Sequence, residues 1–416
     1  MTARLRALAA LCLGTFLLLS CGGRFQQISS SPPAVRTHRF AALMTTTARA
    51  PWVEGNAIRT LENGDSYFPV MLTAIRNARK TITFETFVFK QGTVGGKFSV
   101  AFADAARRGV KVHVVLDANG SRWVNDDDVA LMRRSGVEFH MFRPFDILRL
   151  DRYNYRTHRK IMVVDGSLAF TGGAGYTDVW AGDAQSPHNW RDTQYEVRGP
   201  VVRQLQEGFN ENWRELTGLE LRGPDYFPPL SRAGNHRAHF SLGSPEKSGD
   251  TLGSSFLLAI NAAQTSILIE HSYFIPHRDL LDALLRARRR GVRVEVIICG
   301  EHTDFKVCRV AQRPALLQLN RAGAEIWEYT PTMMHGKLVV VDDHFSAVGS
   351  ANFDDRSFFI NDEANLNVLS GRFAAEQRRM FERDKKNCTL LTPEDLKLRL
   401  HQLPAHLGAQ AIKSQL

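Results

Sequence analysis

The sequence lacks the residue patterns that mark metal-binding, redox and nucleotide-binding proteins. Its five cysteines show no Cys-x-x-Cys spacing and its fourteen histidines show no His-x-x-x-His spacing. It also has no P-loop, no dinucleotide-binding glycine pattern and no serine nucleophile elbow. We therefore expect neither a metal nor a cofactor.

No hydrophobic run is long enough to span a bilayer comfortably. The apolar stretch 7–19 follows a basic start and has the length of a signal-peptide core. It runs into Leu18-Leu19-Ser20-Cys21, which resembles a bacterial lipobox, so residues 1–21 are predicted to be a targeting segment with lipidation at Cys21. An ordinary signal peptide and an uncleaved anchor remain alternatives. Each places the body at a membrane or outside the cytoplasm.

Acidic residues are outnumbered by basic ones. The 53 lysines and arginines exceed the 43 aspartates and glutamates, which gives a net charge of +10. This excess favours an anionic partner, either an acidic lipid surface or nucleic acid, although a basic balance also serves solubility alone.

One eight-residue pattern occurs twice, at 158–165 and 335–342. In each copy a lysine follows a histidine by two positions and an aspartate follows the lysine by five; the residues are His158, Lys160 and Asp165, then His335, Lys337 and Asp342. The residues between lysine and aspartate are β-branched or apolar and predict a buried strand. Because side chains alternate along a strand, histidine and lysine share one face. The two aspartates fall on the other face or past the strand end, which suits structural acceptors.

A longer repeat surrounds the pattern. Residues 82–89 parallel 267–274, residues 105–112 parallel 287–294, and residues 135–139 parallel 322–326. Strand and helix patterns alternate in both copies, which predicts an α/β fold of two pseudo-symmetric halves, each a mixed, mostly parallel sheet flanked by helices. Two halves that each carry half a site are expected to pack with their motifs meeting at the interface.

The same reading divides the chain into segments. After residues 1–21 it predicts a variable tether at 22–56, a first half at 57–216, a proline-containing linker at 217–236, a second half at 237–390 and a helical tail at 391–416. The tail is expected to begin as a helix at Thr392-Pro393, with a cap and a proline at the first helical position.

The repeated pattern resembles the signature of the phospholipase D superfamily, His-x-Lys-x4-Asp-x6-Gly-(Gly/Ser)-x-Asn. The second copy matches throughout and ends Gly349-Ser350-Ala351-Asn352, whereas the first ends Gly172-Gly173-Ala174-Gly175 and lacks the asparagine. Further stretches are similar to bacterial cardiolipin synthases, namely 155–160, Trp190-Arg191-Asp192, 350–357 and Asn361-Asp362-Glu363. The resemblance covers about Asn63 to Asp384 and implies two phospholipase D-like halves.

The chemistry of such a site follows from its side chains. Cleaving a phosphodiester requires a nucleophile, a proton donor and positive charge near the phosphoryl oxygens, and two histidines with two lysines supply all three without a metal. The resemblance implies that His158 is the nucleophile and His335 the acid and base, and the reverse assignment stays open. Lys160 and Lys337 would hold the phosphoryl oxygens.

The resemblance also implies supporting residues. Phosphate-binding groups are expected at the Gly173 turn, Ser350 and Asn352, where backbone amides of the first turn replace the missing asparagine. A nucleophilic imidazole needs an acceptor on its other nitrogen, and Glu363 and Asp192 are the predicted histidine-orienting carboxylates.

We therefore expect a phosphatidyltransferase that uses phosphatidylglycerol as donor through a phosphohistidine. The motif does not separate this from hydrolysis to phosphatidic acid, since pocket shape and water exclusion choose the acceptor. Nucleic acid cleavage and non-catalytic lipid binding are more distant alternatives. The expected partners are an anionic phospholipid and a membrane surface rather than nucleic acid, and the oligomeric state is open. The apolar and basic segment 139–156 suits either a lipid surface or a cover for the sheet edge.

Overall fold

The protein is described by a computed structural model that covers residues 23–246, 250–398, 402–411 and 415. The predicted targeting segment, including Cys21, lies outside the described residues. Among the described residues, no helix combines the length and the apolar character needed to cross a bilayer.

The elements up to residue 217 form a sheet with helices on it. The strands are β1 (Val53–Glu62), β2 (Thr81–Thr86), β3 (Lys111–Asp117), β4 (Glu138–Phe142), β5 (Ile161–Val164), β6 (Leu168–Gly172) and β7 (Thr193–Arg198). The helices are α1 (His38–Ala48), α2 (Gly64–Asn77), α3 (Thr93–Arg107), α4 (Asp126–Arg134), the short α5 (Leu150–Tyr153) and α6 (Val202–Thr217).

The elements after residue 235 repeat this arrangement. The strands are β8 (His236–Gly243), β9 (Ser266–His271), β10 (Phe274–Ile275), β11 (Arg293–Cys299), β12 (Glu325–Tyr329), β13 (Lys337–Val341), β14 (Phe345–Gly349), β15 (Phe353–Asp354), β16 (Glu363–Leu369) and β17 (Cys388–Leu390). The helices are α7 (Thr251–Ala262), α8 (Arg278–Arg289), α9 (Lys306–Ala311), α10 (Arg313–Arg321), α11 (Asp355–Phe359), α12 (Gly371–Lys385) and α13 (Leu403–Ala411).

The two halves share one continuous sheet. Its order is β17-β12-β11-β9-β13-β14-β16-β8-β1-β7-β6-β5-β2-β3-β4, and the halves join where β8 pairs with β1. Reading outward from that join, the order β1-β7-β6-β5-β2-β3-β4 is matched by β8-β16-β14-β13-β9-β11-β12. The predicted pseudo-symmetry is confirmed, and the sheet places the two motif strands, β5 and β13, at equivalent positions on either side of its centre.

The sheet is mixed as predicted, but the expectation of a mostly parallel sheet is wrong. In the first half only the β2–β3 and β3–β4 pairs are parallel. The reason is a tight turn after the motif strand, at Asp165 and Gly166, where both φ angles are positive, 50° and 60°. Asp-Gly is a strong signal for this turn, which folds β6 back against β5 as a hairpin instead of sending the chain through a helix.

Both motif aspartates fix these turns. The Asp165 carboxylate accepts hydrogen bonds from the backbone N–H groups of residues 79–81, at 2.7–3.2 Å. Asp342 does the same for residues 264–266. Each carboxylate therefore ties the hairpin to the start of the neighbouring strand, at the opposite end of the motif strand from the histidine.

The segment predicted to be a tether, 22–56, is instead part of the folded body from residue 23 onward, where the described residues begin. Phe40 and Met44 of α1 are buried in the core of the second half, and the Phe25 ring stacks on Phe359 with centroids 5.2 Å apart. Residues 53–56 already belong to β1. These contacts arise because the apolar face of α1 covers the apolar face of α7.

The predicted helix start at Thr392-Pro393 is also wrong. The Thr392 N–H and hydroxyl both donate to the Asp395 carboxylate, which closes a turn instead of a helix. Leu396 then enters the core of the second half, and the tail helix α13 begins later, at Leu403. The local hydrogen bonds of the capping residues thus serve the turn itself.

Candidate active site

Two short parallel bridges join the halves beside the motifs. The backbone N–H of His158 donates to the carbonyl of Asp362 at 2.8 Å, and the N–H of His335 donates to the carbonyl of Arg191 at 2.7 Å. Asp362 and Arg191 each precede a predicted orienting carboxylate. The bridges therefore place the carboxylate of one half against the histidine of the other.

The histidine–carboxylate pairs cross the interface in both directions. His158 Nδ1 lies 2.7 Å from Glu363 Oε1, and His335 Nδ1 lies 2.7 Å from Asp192 Oδ2. Because an ionised carboxylate can only accept, each imidazole carries its hydrogen on Nδ1 and its lone pair on Nε2. The Nε2 atom of His335 also lies 3.4 Å from Lys337 Nζ. Each motif histidine thus takes its carboxylate from the other half, so the site exists only where both halves meet.

The motif lysines are buried next to their own histidines. Lys160 Nζ donates to the His158 carbonyl at 2.7 Å, and Lys337 Nζ donates to the His335 carbonyl at 2.9 Å and to Ser272 Oγ at 3.2 Å. The two histidines and two lysines are each less than a tenth exposed. These contacts hold two ammonium groups beside the imidazoles, where a phosphoryl group would need positive charge.

Burial dominates the ionisation of the motif cations. It lowers the pKa of His158 to about 4 and that of Lys160 to about 7. The pKa values of His335 and Lys337 are lowered for the same reason. A neutral His158 at physiological pH has the lone pair that nucleophilic attack requires.

The orienting carboxylates stay ionised despite complete burial. Burial alone would raise the pKa of Glu363, but His158 and then Lys160 outweigh it and hold that pKa below its usual value. Burial is opposed in the same way at Asp192, by His335 above all. Each carboxylate thus remains a hydrogen-bond acceptor for its imidazole across the working pH range.

The two carboxylates are held by different groups. Glu363 accepts from the hydroxyls of Ser350 and Ser357, the latter at 2.8 Å. Asp192 accepts from the indole N–H of Trp180 at 2.9 Å and from the Thr193 backbone N–H at 2.7 Å. Trp180 and Ser357 stand at the same offset of 177 residues as the two histidines. Our sequence reasoning missed both residues, although this offset would have paired them.

The glycine at position 175, where the motif has asparagine, has a structural cause. A side-chain Cβ at this position would lie 2.9 Å from the Trp180 ring, so the indole fills the space that the motif asparagine would need. A Cβ at Gly173 would lie 2.3 Å from an Asp192 carboxylate oxygen. Glycine at both positions makes room for the indole–carboxylate contact, so the first half replaces two polar side chains with one aromatic ring.

The predicted phosphate-binding residues of the second half are arranged differently from each other. The Ser350 hydroxyl is buried and donates to Glu363, so it contacts the orienting carboxylate, and its expected role as a phosphate ligand stays a prediction. The Asn352 backbone N–H donates to Ser357 Oγ at 3.0 Å, while its buried side-chain oxygen has no hydrogen-bond partner among the described residues. A side chain left in this state is available to a ligand.

A cavity of about 630 Å³ opens onto the motif histidines. His158, Lys160 and His335 lie in its wall. Most of the remaining wall comes from the first half, including aromatic rings; the other lining residues are Phe87, Val88, Lys90, Gln91, Asn119, Gly120, Arg122, Trp123, Gly175, Thr177, Asp178, Val179, Trp180, Trp190, Tyr273 and Asp304. A volume of this size suits a phospholipid head group with its flanking atoms.

Comparison with known proteins agrees with this geometry. The family model described as "Cardiolipin synthase, PLD-like domain" matches residues 71–213 and 256–385. A cardiolipin synthase A of Pseudomonas fluorescens is 33% identical over 89% of this chain and 77% of its own length. A cardiolipin synthase A of Pseudomonas aeruginosa is 34% identical over 85% of this chain and 72% of its own length.

Solved structures share the fold at low sequence identity. A phosphatidylserine synthase of Haemophilus influenzae superposes with a TM-score of 0.67 and 14% identity, over 91% of this chain and all of that one. A polyphosphate kinase of Porphyromonas gingivalis superposes with a TM-score of 0.56 and 13% identity, over 86% of this chain and 53% of that one. At this identity the likeness concerns the two-half architecture alone.

Proposed function

The chain belongs to the family of cardiolipin synthases with phospholipase D-like domains, and we propose that it joins two phosphatidylglycerol molecules by phosphatidyl transfer through a phosphohistidine. The observation that carries this proposal is the reciprocal pairing of His158 with Glu363 and of His335 with Asp192. It supplies two oriented imidazoles beside two buried ammonium groups, which is the set that phosphodiester exchange requires.

In the first step the Nε2 atom of His158 attacks the donor phosphorus. The bond between phosphorus and the glycerol oxygen of the head group breaks, and His335 gives that oxygen a proton. Burial lowers the pKa of His335, but the negative charge of a bound phosphodiester raises it again and favours the protonated form. Phosphatidyl-His158 and free glycerol result.

In the second step the direction of proton transfer reverses. His335, now neutral, takes the proton from an acceptor hydroxyl, whose oxygen attacks phosphorus while the bond to His158 breaks. A glycerol hydroxyl of a second phosphatidylglycerol gives cardiolipin, and water gives phosphatidic acid. Lys160, Lys337 and the Asn352 side chain would hold the non-bridging oxygens in both steps.

We place a membrane-contacting surface on the segment 145–153, directly before the first motif. Phe145, Ile147 and Leu148 are 68%, 73% and 89% exposed, unlike the apolar side chains of the core. Arg149, also exposed, stands among them. Apolar side chains with an adjacent cation suit the boundary between head groups and acyl chains of an anionic bilayer.

The start of the folded body supports the same orientation. Phe25, four residues after Cys21, packs on Phe359 of α11. From the same helix, Arg356 donates to the backbone carbonyl of Asn154 at 3.0 Å, at the end of the exposed segment. A lipid on Cys21 would therefore attach to the bilayer on the side that carries Leu148, and would place the body outside the cytoplasm.

The catalytic proposal is tested by incubating the full protein with phosphatidylglycerol vesicles and resolving the products by mass spectrometry. We expect cardiolipin and glycerol, and neither product from His158→Ala or His335→Ala. Formation of phosphatidic acid alone would show that the enzyme is a hydrolase and not a transferase. Full activity in either variant would contradict the mechanism.

The surface proposal is tested by vesicle co-sedimentation of the full chain. Cys21→Ser is expected to reduce membrane attachment, and Leu148→Glu in that background to reduce it further. The matched control is Leu219→Glu, because Leu219 is also exposed, at 67%, but lies just after α6. Equal binding of the two glutamate variants would remove the segment from the membrane contact.

A further inference from the structure

The active-site cavity has walls of opposite charge. The first half contributes the cations Lys90 and Arg122, and the second half contributes the carboxylate of Asp304. Asp304 has a small influence on His335: burial and Lys337 lower the pKa of His335, and the negative charges of Asp192 and then of Asp304 oppose that lowering. The acidic wall therefore lies on the side of His335, whereas Lys90 and Arg122 come from the half that supplies His158.

The two cations are free for a ligand. In the described part of the chain neither Lys90 nor Arg122 forms an ion pair with a carboxylate. The Arg122 guanidinium lies 5.3 Å from the Trp123 ring centroid, and that ring is 58% exposed at the cavity. By contrast, Lys160 already donates to a backbone carbonyl. Two unpaired cations in one cavity beyond the motif lysines suit a second phosphate group.

The acidic wall is suited to hydroxyl groups. Tyr273 donates its phenolic hydrogen to Asp304, which orients a carboxylate that is otherwise exposed to the cavity. The other carboxylate in the lining, Asp178, is already used, since it accepts from the backbone N–H groups of Thr93 and Val94 at the start of α3. Asp304 is therefore the acceptor that remains for a hydroxyl beside His335.

We propose that this cavity contains an acceptor subsite, in which Lys90 and Arg122 bind the phosphate of the accepting lipid and Asp304 accepts a hydrogen bond from its glycerol hydroxyl. The inference rests on the proposed function. The neighbouring hydroxyl of that glycerol gives its proton to His335 Nε2, its oxygen bonds to phosphorus, and the bond between phosphorus and His158 breaks. The subsite selects an acceptor that carries both an anion and hydroxyl groups, and so disfavours water.

Two reactions of the enzyme distinguish a defect in the acceptor subsite from a defect in the catalytic residues. With phosphatidylglycerol vesicles and labelled free glycerol, cardiolipin formation requires a second lipid, whereas exchange of labelled glycerol into phosphatidylglycerol requires only the donor lipid and the histidines. We expect Lys90→Gln/Arg122→Gln to lower cardiolipin formation at least about tenfold and to leave glycerol exchange within about twofold, because each lost charge-assisted contact concerns the acceptor phosphate. The matched control, Lys97→Gln/Arg134→Gln, removes two exposed charges of the same half outside the cavity and is expected to change neither rate.

The role of Asp304 is tested by a separate variant. Asp304→Asn is expected to lower both glycerol exchange and cardiolipin formation, since both acceptors present glycerol hydroxyls, and to raise the share of phosphatidic acid at least about threefold. Equal losses of exchange and cardiolipin in the lysine–arginine variant, or an unchanged share of phosphatidic acid in Asp304→Asn, would overturn the inference. A wild-type protein that forms no cardiolipin and exchanges no glycerol would instead refute the proposed function.

Discussion

The two halves present the same histidine–lysine spacing in different surroundings. His158 faces Glu363, which two serine hydroxyls hold, whereas His335 faces Asp192, which the Trp180 indole holds. Trp180 and Trp190 also pack against the His335 ring, with centroids 5.3 and 5.5 Å away. One duplicated motif therefore gives two imidazoles with distinct supports.

The difference teaches how a symmetric fold performs an asymmetric reaction. A nucleophile and an acid–base group need different properties, and identical halves would supply two identical imidazoles. His335 contacts two indole rings whereas His158 contacts one phenyl ring, that of Phe87 at 5.1 Å, and Asp304 adds negative charge on the side of His335. Both features favour a group that moves protons to and from a glycerol oxygen, while His158 attacks phosphorus.

The largest effect is expected when the crossed carboxylates lose their charge. Glu363→Gln and Asp192→Asn keep the shapes but remove the ionised acceptor, which should lower kcat about 10- to 100-fold each. If the halves differ as described, Glu363→Gln slows formation of the phosphohistidine and Asp192→Asn slows proton transfer. Transient kinetics with phosphatidylglycerol measures the two steps separately. If both variants slowed the same step to the same extent, the proposed difference between the halves would be contradicted.

The pH dependence sharpens the comparison of the lysines. Burial lowers the pKa of Lys160 to about 7, so this lysine is charged below that pH and neutral above it. Because His335 must also carry its proton, we expect kcat/KM of the free enzyme to fall about tenfold per pH unit above the lowered pKa of His335 and about a hundredfold per pH unit above about 7. Lys160→Arg should move the steeper decline to higher pH because a guanidinium stays protonated. A steeper decline at the same pH in that variant would assign it to a group other than Lys160.

A smaller effect is expected from the groups that hold the carboxylates. Trp180→Phe keeps a ring beside His335 but removes the N–H donated to Asp192, and Ser357→Ala removes one hydroxyl from Glu363. Each lost hydrogen bond to a charged group is worth about 1.5–3 kcal/mol. Asp192 keeps the Thr193 N–H and Glu363 keeps the Ser350 hydroxyl. We expect a larger loss of kcat from Trp180→Phe, because the smaller ring also leaves part of the indole's space beside His335 and Gly175 empty. A larger loss from Ser357→Ala would reverse the assigned importance of the two supports.

The smallest effect on catalysis is expected from the motif aspartates. Asp165→Asn and Asp342→Asn leave the histidines untouched and weaken the turns at the far end of the motif strands. We expect the free energy of unfolding to fall by about 1–3 kcal/mol in each, with kcat unchanged in the folded fraction. Urea unfolding with parallel rate measurements checks this. A large loss of kcat without a loss of stability would show that these aspartates take part in the reaction.

The sequence predicts the motif and the pseudo-symmetry, but it does not predict that each histidine pairs with a carboxylate of the other half. Spacing within one strand predicts which side chains share a face, so His158 and Lys160 were placed together. The partner of His158 lies 205 residues away, and local periodicity contains no information on such a contact. The Asp-Gly turn at Asp165 was readable in the sequence, and weighing it would have corrected the expectation of a mostly parallel sheet.

Other differences arise from tertiary context. The face of α1 that buries Phe40 has no partner until α7 is in place, so the sequence alone indicated a tether. Thr392 and Asp395 bond to each other, and that local bond outweighs the helix-start pattern. The replacement of the motif asparagine by Gly175 is explained by Trp180, a residue outside the motif whose ring occupies the space of a side chain there.

The most direct test of the central claim uses a phosphatidyl donor with a p-nitrophenol leaving group, which departs without a proton. His335→Ala should then release about one equivalent of p-nitrophenol in a burst and accumulate the adduct on the peptide that contains His158, because deprotonation of the acceptor is lost. His158→Ala should show no burst. A burst in His158→Ala, with the adduct on His335, would contradict the account and exchange the roles of the two halves.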